Sequence, residues 1–282
     1  MSSPKDLFNN FIQNALAEDI GSGDYTTLST IPHNQMSEAI CWVKEDCIIA
    51  GVEMAKKIGE IVDPSLKIEF LFEDGAHILA PKNIGSIKGS VQSILKLERL
   101  LLNCMQRMSA IATKTNHLVQ LLAPFQTQIL DTRKTTPNFR IAEKWAVKIG
   151  GGMNHRFGLY DQILIKDNHI KAAGGIQEAI DACASYLIKH QMQIPVIVEV
   201  KNTEEFLIAN NANIVDRILV DNFTPTAIKS LIDQHICSKP IEASGGITEQ
   251  NILEYAQSGV NYVSLGDLTH HVQSVDISLK IV

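Results

Sequence analysis

The sequence lacks the signatures of several large protein classes. Its five cysteines are scattered and form no CxxC pair, which leaves little support for a zinc site or a dithiol centre. It contains no GxGxxG fingerprint, Walker A motif, HExxH motif or GxSxG elbow. Hydride transfer and nucleotide hydrolysis therefore lose most of their support. No apolar run approaches the roughly 18 residues that a membrane span requires.

The sequence also lacks an excess of positive charge. The net charge of its 282 residues is −6. This balance argues against a nucleic-acid or anionic-membrane binder. Hydrophobic residues make up 45% of the chain, which is typical of a soluble globular protein with a substantial core. The chain starts with the polar residues MSSPKD and carries no apolar signal segment. Together with free thiols, this start predicts a cytoplasmic protein.

The positive charge that is present is concentrated in one region. Residues 131–171 contain eight Lys or Arg and four Asp or Glu, although the whole chain is acidic. A local cationic patch in an acidic protein favours a small anionic ligand over a long phosphate backbone.

Two domains are expected. Residues 1–112 mix helical and strand-like segments, which predicts an α/β sandwich. A segment at its end, 93–122, continues past this boundary and reads as one long helix or two helices in succession. Residues 113–270 alternate short apolar strands with helices, which predicts parallel β/α units in an incomplete barrel or an open sheet. The tail, 271–282, contains one more candidate strand that would rejoin the first domain. Six apolar strands are predicted in the second domain, at 126–130, 162–165, 195–200, 217–220, 240–243 and 262–265.

Polar residues follow all six of these strands. Active sites of parallel barrels and open α/β sheets lie at the carboxyl ends of the strands. One site at this edge is therefore expected, and solvated loop charges are the alternative. The residues concerned are Asp131, Arg133, Lys134, Lys166, Asp167, Glu199, Lys201, Asp221, Ser244, Gly245, Gly246, Gly266 and Asp267.

Glycines follow the last two strands. In EASGGITEQNIL, Gly245 and Gly246 let the backbone approach an anion, and a helix is expected to begin at Thr248 with free N–H groups. Gly266 occupies the equivalent place in SLGDLTHH. Two adjacent loops of this kind predict a phosphate site, and an ordinary strand–helix turn is the alternative.

Cationic groups follow the first two strands. Arg133 and Lys134 come after the first, His155 and Arg156 lie in the glycine-rich stretch GGGMNHRFGL, and Lys166 ends the second strand. Arginine pairs bidentately with carboxylates and phosphates. An anionic ligand is therefore expected here, although each group alone could be solvated.

Two carboxylates, Glu199 and Asp221, end very apolar strands and need partners. They could pair with the lysines, or bind sugar hydroxyls directly or through Mg²⁺, which prefers oxygen ligands. Arg99 lies on the long helix of the first domain, where it could simply snorkel beside Leu97 and Leu100.

Taken together, these motifs resemble those of the quinolinate phosphoribosyltransferase family. The similarity runs nearly from end to end, and the set is specific although no single motif is. The matching stretches are AEDIGSGDYTT, LERLLLNCMQRMSAIAT, DTRKTTPNFR, KIGGGMNHRFGLYDQILIKDNHI, VEV, LVDNF, ASGGI and SLGDLTH.

The resemblance implies transfer of phosphoribosyl from phosphoribosyl pyrophosphate to quinolinate with loss of CO2. It implies an α/β sandwich joined to an incomplete β/α barrel of about six strands, a homodimer and Mg²⁺. Arg99 would reach the neighbouring subunit's site. Arg133, Lys134, His155, Arg156 and Lys166 would bind quinolinate, and some would also touch the pyrophosphate. Glu199 and Asp221 would face the ribose and Mg²⁺, binding the ion directly or through water. Ser244, Gly245, Gly246 and Gly266 would hold the 5-phosphate. Lys134, Lys166, Glu199 and Asp221 form the expected catalytic set.

The sequence departs from the family pattern at two positions. Ala110 stands where the family usually has glycine, and Lys201 stands where an acidic residue is common. These departures leave details of packing and metal affinity open. A relative acting on nicotinate, which releases no CO2, and a non-catalytic phosphosugar-binding protein remain the alternatives.

Overall fold

The computed structural model of the chain describes residues 4–235 and 237–282. Up to residue 121 the elements are α1 (Pro4–Ile20), α2 (Tyr25–Thr30), β1 (Met36–Val43), β2 (Cys47–Ile48), α3 (Val52–Val62), β3 (Lys67–Phe70), β4 (His77–Ile78), β5 (Lys82–Ser90) and α4 (Val91–Leu121). From residue 128 they are β6 (Gln128–Leu130), α5 (Arg140–Ile149), β7 (Ile163–Ile165), α6 (Asp167–Ala173), α7 (Ile176–Lys189), β8 (Val196–Val200), α8 (Thr203–Asn211), β9 (Arg217–Asp221), α9 (Pro225–Gln234), β10 (Ile241–Ser244), α10 (Ile252–Gln257), β11 (Tyr262–Ser264), α11 (Asp267–His270) and β12 (Ile277–Ile281).

The chain forms two compact units. The first contains the chain up to Asn116 together with Thr135–Gly151 and Leu268–Val282. The second contains His117–Lys134 and Gly152–Asp267. The eight cations of residues 131–171 are thereby divided, because Arg140, Lys144 and Lys148 of α5 belong to the first unit.

The first unit contains an antiparallel sheet with the strand order β12-β1-β5-β3. The C-terminal strand β12 pairs with β1, with Ile281 opposite Ala39. Along β1, Ala39, Cys41 and Val43 are buried, whereas Trp42 between them is partly exposed. This period of two is typical of a strand with one face against a core.

Helix α4 is a single helix of 31 residues rather than two helices in succession. Its buried residues recur every three or four positions, which places them on one face of the helix. These residues are Ile94, Leu97, Leu101, Met105 and Met108. No helix in residues 4–235 and 237–282 combines the length and the apolar character that a membrane crossing demands.

A buried ion pair connects α4 and α5 within the first unit. Glu143 is fully buried and accepts hydrogen bonds from Nε and Nη2 of Arg107 at 3.1 and 2.9 Å. It also accepts from the backbone and side chain of Thr136, at 3.0 and 2.8 Å. Each bond compensates part of the desolvation of the carboxylate, so the pair fixes the chain just after the DTRK segment.

The second unit contains a parallel sheet of six strands in the order β6-β11-β10-β9-β8-β7. This is the cyclic strand order of a β/α barrel, opened between its first and second strands. In the described residues β6 and β7 do not pair with each other. The predicted fold class, α/β with an N-terminal α/β sandwich and an incomplete six-stranded barrel, is confirmed.

Candidate active site

The polar residues at the strand ends share one face of the second unit's sheet. Leu164, Ile197 and Leu219 form a buried cluster that defines this inner face. Side chains alternate along a strand, so Glu199 and Asp221, two residues beyond Ile197 and Leu219, lie on the same face. Ser244 is paired with Asp221 in the register and therefore also belongs to it. The sheet thus brings these three predicted site residues to one edge.

Lys166 and Glu199 form an ion pair at this edge. The Nζ atom of Lys166 lies 2.6 Å from Oε2 of Glu199, whose side chain is only 6% exposed, whereas that of Lys166 is 45% exposed. The structural pairing that the sequence left open is therefore present for Glu199. Because the lysine remains accessible, a ligand could still reach its ammonium group.

Asp221 is half-buried beside Glu199. Burial, and then repulsion from Glu199, raise the pKa of Asp221, while Lys166, Lys201 and a hydrogen bond from Asn222 oppose the shift. The Nδ2 group of Asn222 donates to Oδ2 of Asp221 at 2.9 Å. Two carboxylates close enough to repel each other favour a cation or a hydroxyl-rich ligand between them.

Lys201 is exposed and pairs with Asp167, with 2.7 Å between Nζ and Oδ2. The hydrogen bond to Lys201 is the main cause that lowers the pKa of Asp167. At the other departure from the family pattern, Ala110 is buried on α4 in the first unit.

The DTRK segment, residues 131–134, contains one buried carboxylate and two exposed cations. Asp131 is fully buried, and its Oδ1 accepts a hydrogen bond from the backbone N–H of His155 at 2.8 Å. The hydroxyl of Thr132 accepts from the backbone N–H of Lys134 at 3.0 Å. Arg133 and Lys134 are exposed. The carboxylate therefore orders the loop, and the cations face outward from it.

The glycine-rich stretch lies along the free edge of β6. Met153 forms an isolated parallel bridge with Leu130, and its backbone N–H donates to the carbonyl of Ile129 at 2.8 Å. This attachment leads directly into His155 and Arg156, both of which are buried.

The guanidinium of Arg156 is held close to other charges. Its Nη1 donates to the carbonyl of Gln162 at 3.3 Å. Burial, and then repulsion from Arg133, lower the pKa of Arg156, and Asp161 opposes this shift. Arg133 and Arg156 therefore lie near enough to repel each other, although they are 23 positions apart in the sequence. An anion between them would relieve this repulsion.

The loop after β10 depends on glycine at one position in particular. Gly245 has a φ of +93°, and a Cβ there would lie 2.2 Å from Oδ1 and 3.0 Å from the backbone nitrogen of Asn222. Gly246 has a φ of +63° and open space around it. Gly266 is the second residue after β11, directly following Leu265. The two glycine loops thus follow neighbouring strands, as expected.

The helix expected to begin at Thr248 begins instead at Ile252. The side chain of Asn251 is the reason, because its Oδ1 accepts from the backbone N–H of Thr248 at 2.8 Å and its Nδ2 donates to the carbonyl of Gly246 at 3.0 Å. These bonds stabilise a turn in place of the first helical turn. The N–H group of Thr248 is therefore already occupied, and the expected start of this helix is wrong.

Arg99 lies in the first unit, on α4. Its side chain is exposed and, within the described part of the chain, forms no hydrogen bond or ion pair. Leu97 and Leu100 beside it are buried.

Sequence reasoning missed Glu242 and Arg217. Glu242 is fully buried in β10, paired in the register with Leu219 and therefore on the inner face. A signal was available, because Glu242 stands two residues before Ser244 and strand alternation places both on one face. Its Oε2 lies 3.3 Å from Nη1 of Arg217.

Comparison with known proteins supplies the family. Residues 24–109 match the model of the quinolinate phosphoribosyl transferase N-terminal domain, and residues 111–280 match that of the C-terminal domain. The chain belongs to the quinolinate phosphoribosyltransferase family. The family expected from the sequence motifs is therefore confirmed, as is the enzyme class, a phosphoribosyltransferase.

Relatives of this phosphoribosyltransferase cover nearly its whole length. A chloroplastic nicotinate-nucleotide pyrophosphorylase [carboxylating] of Arabidopsis thaliana is 42% identical over 96% of this chain and 81% of its own. A probable nicotinate-nucleotide pyrophosphorylase [carboxylating] of Bacillus subtilis is 41% identical over 98% of this chain and 93% of its own. The structure of the nicotinate-nucleotide pyrophosphorylase from Francisella tularensis matches with a TM-score of 0.90 and 37% identity, over 100% of this chain and 98% of that one.

Proposed function

We propose that this phosphoribosyltransferase converts quinolinate and phosphoribosyl pyrophosphate into nicotinate mononucleotide, pyrophosphate and CO2 at the carboxyl edge of the second unit's sheet. This is the reaction of the family to which the chain belongs, and it serves NAD biosynthesis. One observation carries the assignment to this edge. Lys166, a member of the proposed cationic set, contacts Glu199, one of the two proposed carboxylates, at 2.6 Å.

Quinolinate carries two adjacent carboxylates and needs several cationic partners. Arg133 and Lys134 are exposed, Lys166 is partly exposed, and Arg156 is buried beside them with a lowered pKa. Crowded cations repel one another when no ligand is bound, and a dianion removes that repulsion on binding. We assign these four residues to quinolinate binding, with some also touching the pyrophosphate, and His155 to the same set.

The ribose and a Mg²⁺ ion fit the carboxylate pair. Glu199 and Asp221 offer oxygen donors, and repulsion from Glu199 adds to burial in raising the pKa of Asp221. A divalent cation or the ribose hydroxyls would relieve this repulsion, so the residues present fit the ion. When bound, Mg²⁺ would neutralise charge on the departing pyrophosphate. We assign the 5-phosphate to Ser244, Gly245, Gly246 and Gly266.

The chemistry requires positioning and electrostatics more than proton transfer. The pyridine nitrogen forms a bond to the anomeric carbon as the bond from that carbon to the pyrophosphate oxygen breaks. Positive charge develops on the sugar, and the carboxylates of Glu199 and Asp221 stabilise it. Lys134 and Lys166 hold the anionic groups in line for attack. The resulting ring is cationic, so the 2-carboxylate leaves as CO2, and the electron pair left on C2 takes up a proton.

A homodimer and a cytoplasmic location complete the proposal. Arg99, exposed and without an ion-pair partner in the described part of its own chain, would act in the neighbouring subunit's site. All five cysteines are free thiols, which suits a reducing compartment.

A carboxylate-release assay tests the reaction. Purified protein is mixed with quinolinate labelled in its 2-carboxylate, phosphoribosyl pyrophosphate and Mg²⁺, and labelled CO2 is counted. We expect CO2 and nicotinate mononucleotide in equal amounts. The Arg133→Ala variant should lose quinolinate binding, since it lacks one of the guanidinium groups proposed to bind the two carboxylates. Turnover of nicotinate without CO2, or binding of the phosphoribosyl donor without turnover, would contradict the proposal.

A further inference from the structure

Glu242 is a fully buried carboxylate inside the second unit, and the reaction outlined above does not use it. Neither of its oxygens accepts a hydrogen bond of ordinary geometry from the described residues, although the Ser264 hydroxyl lies near enough to help lower its pKa. Burial raises the pKa of Glu242, and the Arg217 guanidinium is the main group that opposes this shift. A buried carboxylate without a full set of hydrogen bonds lowers stability. Its presence therefore suggests a role in the candidate active site at the end of the same strands.

Two basic side chains flank the carboxylate. On one side Nη1 of Arg217 lies 3.3 Å from Oε2, and the Arg217 guanidinium also stacks 4.8 Å from the ring centre of Tyr262. On the other side Nε2 of His155 lies 3.6 Å from Oε1. Tyr262 orients the Arg217 guanidinium toward Oε2, so Oε1 is the oxygen nearer to His155.

The backbone decides which nitrogen of His155 carries the proton. Nδ1 of the ring accepts a hydrogen bond from the backbone N–H of Arg156 at 2.7 Å. Nδ1 must therefore present its lone pair, and the ring proton lies on Nε2, the nitrogen that faces Glu242. The backbone N–H of His155 donates to Asp131 at 2.8 Å, which anchors the same residue from a second side.

We propose that Glu242 is a positioning residue that orients the His155 ring as its Nε2–H tautomer and, through the Nδ1 contact, fixes Arg156 for quinolinate binding. This inference rests on the proposed function. It gives His155 a relay role beside its place in the quinolinate-binding set, because Nδ1 accepts a hydrogen bond from Arg156 while Nε2 lies within ion-pair distance of Glu242. Arg156, held in place through this contact, then supplies a bidentate contact to a substrate carboxylate.

Steady-state kinetics of two Glu242 variants test the relay. Glu242→Leu removes the carboxylate that faces His155. It should raise the KM for quinolinate about tenfold while kcat changes less than about threefold, because the Arg156 guanidinium is then less well positioned to bind quinolinate in the ground state. Glu242→Gln keeps a carbonyl that can accept from Nε2–H and should restore most of the affinity. Asp233→Asn, which removes a carboxylate from an exposed pair with Lys229 on α9, is the matched control and should leave KM unchanged.

Nitrogen NMR of the ring tests the same inference without turnover. The protein contains nine histidines, so ¹⁵N-histidine labelling with His155→Gln as the assignment variant identifies the signal. The wild-type ring should show a protonated Nε2 and an unprotonated Nδ1, and Glu242→Leu should lose this fixed state. A wild-type His155 protonated on Nδ1 overturns the proposal even if no Glu242 variant folds. An unchanged KM in folded Glu242→Leu also overturns it. Failure of the wild type to turn over quinolinate would instead count against the proposed function.

Discussion

At the residue scale, the carboxylates of the second unit serve different structural purposes. Asp131 and Glu242 are fully buried and face a backbone N–H group or basic side chains inside the unit. Glu199 and Asp221 lie at the sheet edge, where Lys166 and a ligand can reach them. In the sequence all four are simply acidic residues in or after apolar strands. Their surroundings, which come from distant parts of the chain, decide which ones order the interior and which ones lie at the sheet edge, where the substrate is proposed to bind.

The cysteines provide a prediction at the same scale. Burial raises the pKa of Cys41 and Cys104 to about 12 and that of Cys47 to about 11. A raised pKa means that almost no thiolate is present at pH 8, and the thiolate is the reactive form. Cys183 and Cys237 are only partly buried, and the pKa of each is raised by burial to a smaller extent.

Alkylation of the native protein at pH 8 should therefore modify Cys183 and Cys237 first. Mass spectrometry of peptides after timed iodoacetamide treatment measures the order. Denatured protein is the control and should react at all five cysteines. Early modification of Cys41 or Cys104 in folded protein would contradict the prediction.

At the element scale, the glycine pair after β10 predicts different effects of the same substitution. A methyl group at position 245 would meet Asn222, whose amide donates to Asp221 and whose backbone N–H donates to the carbonyl of Ser244 at 2.8 Å. Gly246→Ala meets only the backbone penalty of a left-handed residue, about 1 kcal/mol of unfolding free energy. Gly245→Ala should lower stability further.

Gly245→Ala should also raise the KM for phosphoribosyl pyrophosphate about tenfold or more, since it displaces Asn222 beside Asp221, the carboxylate proposed to bind the ribose. Gly246→Ala should raise it much less. Thermal unfolding and steady-state kinetics on the two variants compare them directly. Equal effects of the two substitutions on stability and KM would show that the close approach to Asn222 is not the reason why residue 245 is a glycine.

At the scale of the whole molecule, the sequence predicts regular elements well and long-range contacts poorly. The apolar runs place β8 and β9 within one residue of their observed bounds, because buried strands must be continuously hydrophobic. The start of α10 was predicted wrongly because one asparagine side chain, Asn251, replaces the first turn. The contact between His155 and Glu242 joins residues 87 positions apart, and no local periodicity reports it.

If Arg99 acts in the neighbouring subunit's site, as proposed, catalytic activity depends on the assembled dimer. Arg99→Ala leaves the strand-end site of its own chain intact, while Lys166→Ala leaves Arg99 intact. Each variant alone should be nearly inactive. Mixed under conditions that allow subunits to exchange, they should regain about a quarter of the wild-type specific activity, because half the dimers are then hybrids with one complete site of two. Mixing Arg133→Ala with Lys166→Ala is the matched control. Both changes lie in the second unit, so no hybrid contains an intact site and no activity should return. If the first mixture also stays inactive although hybrids form, Arg99 does not serve the neighbouring subunit.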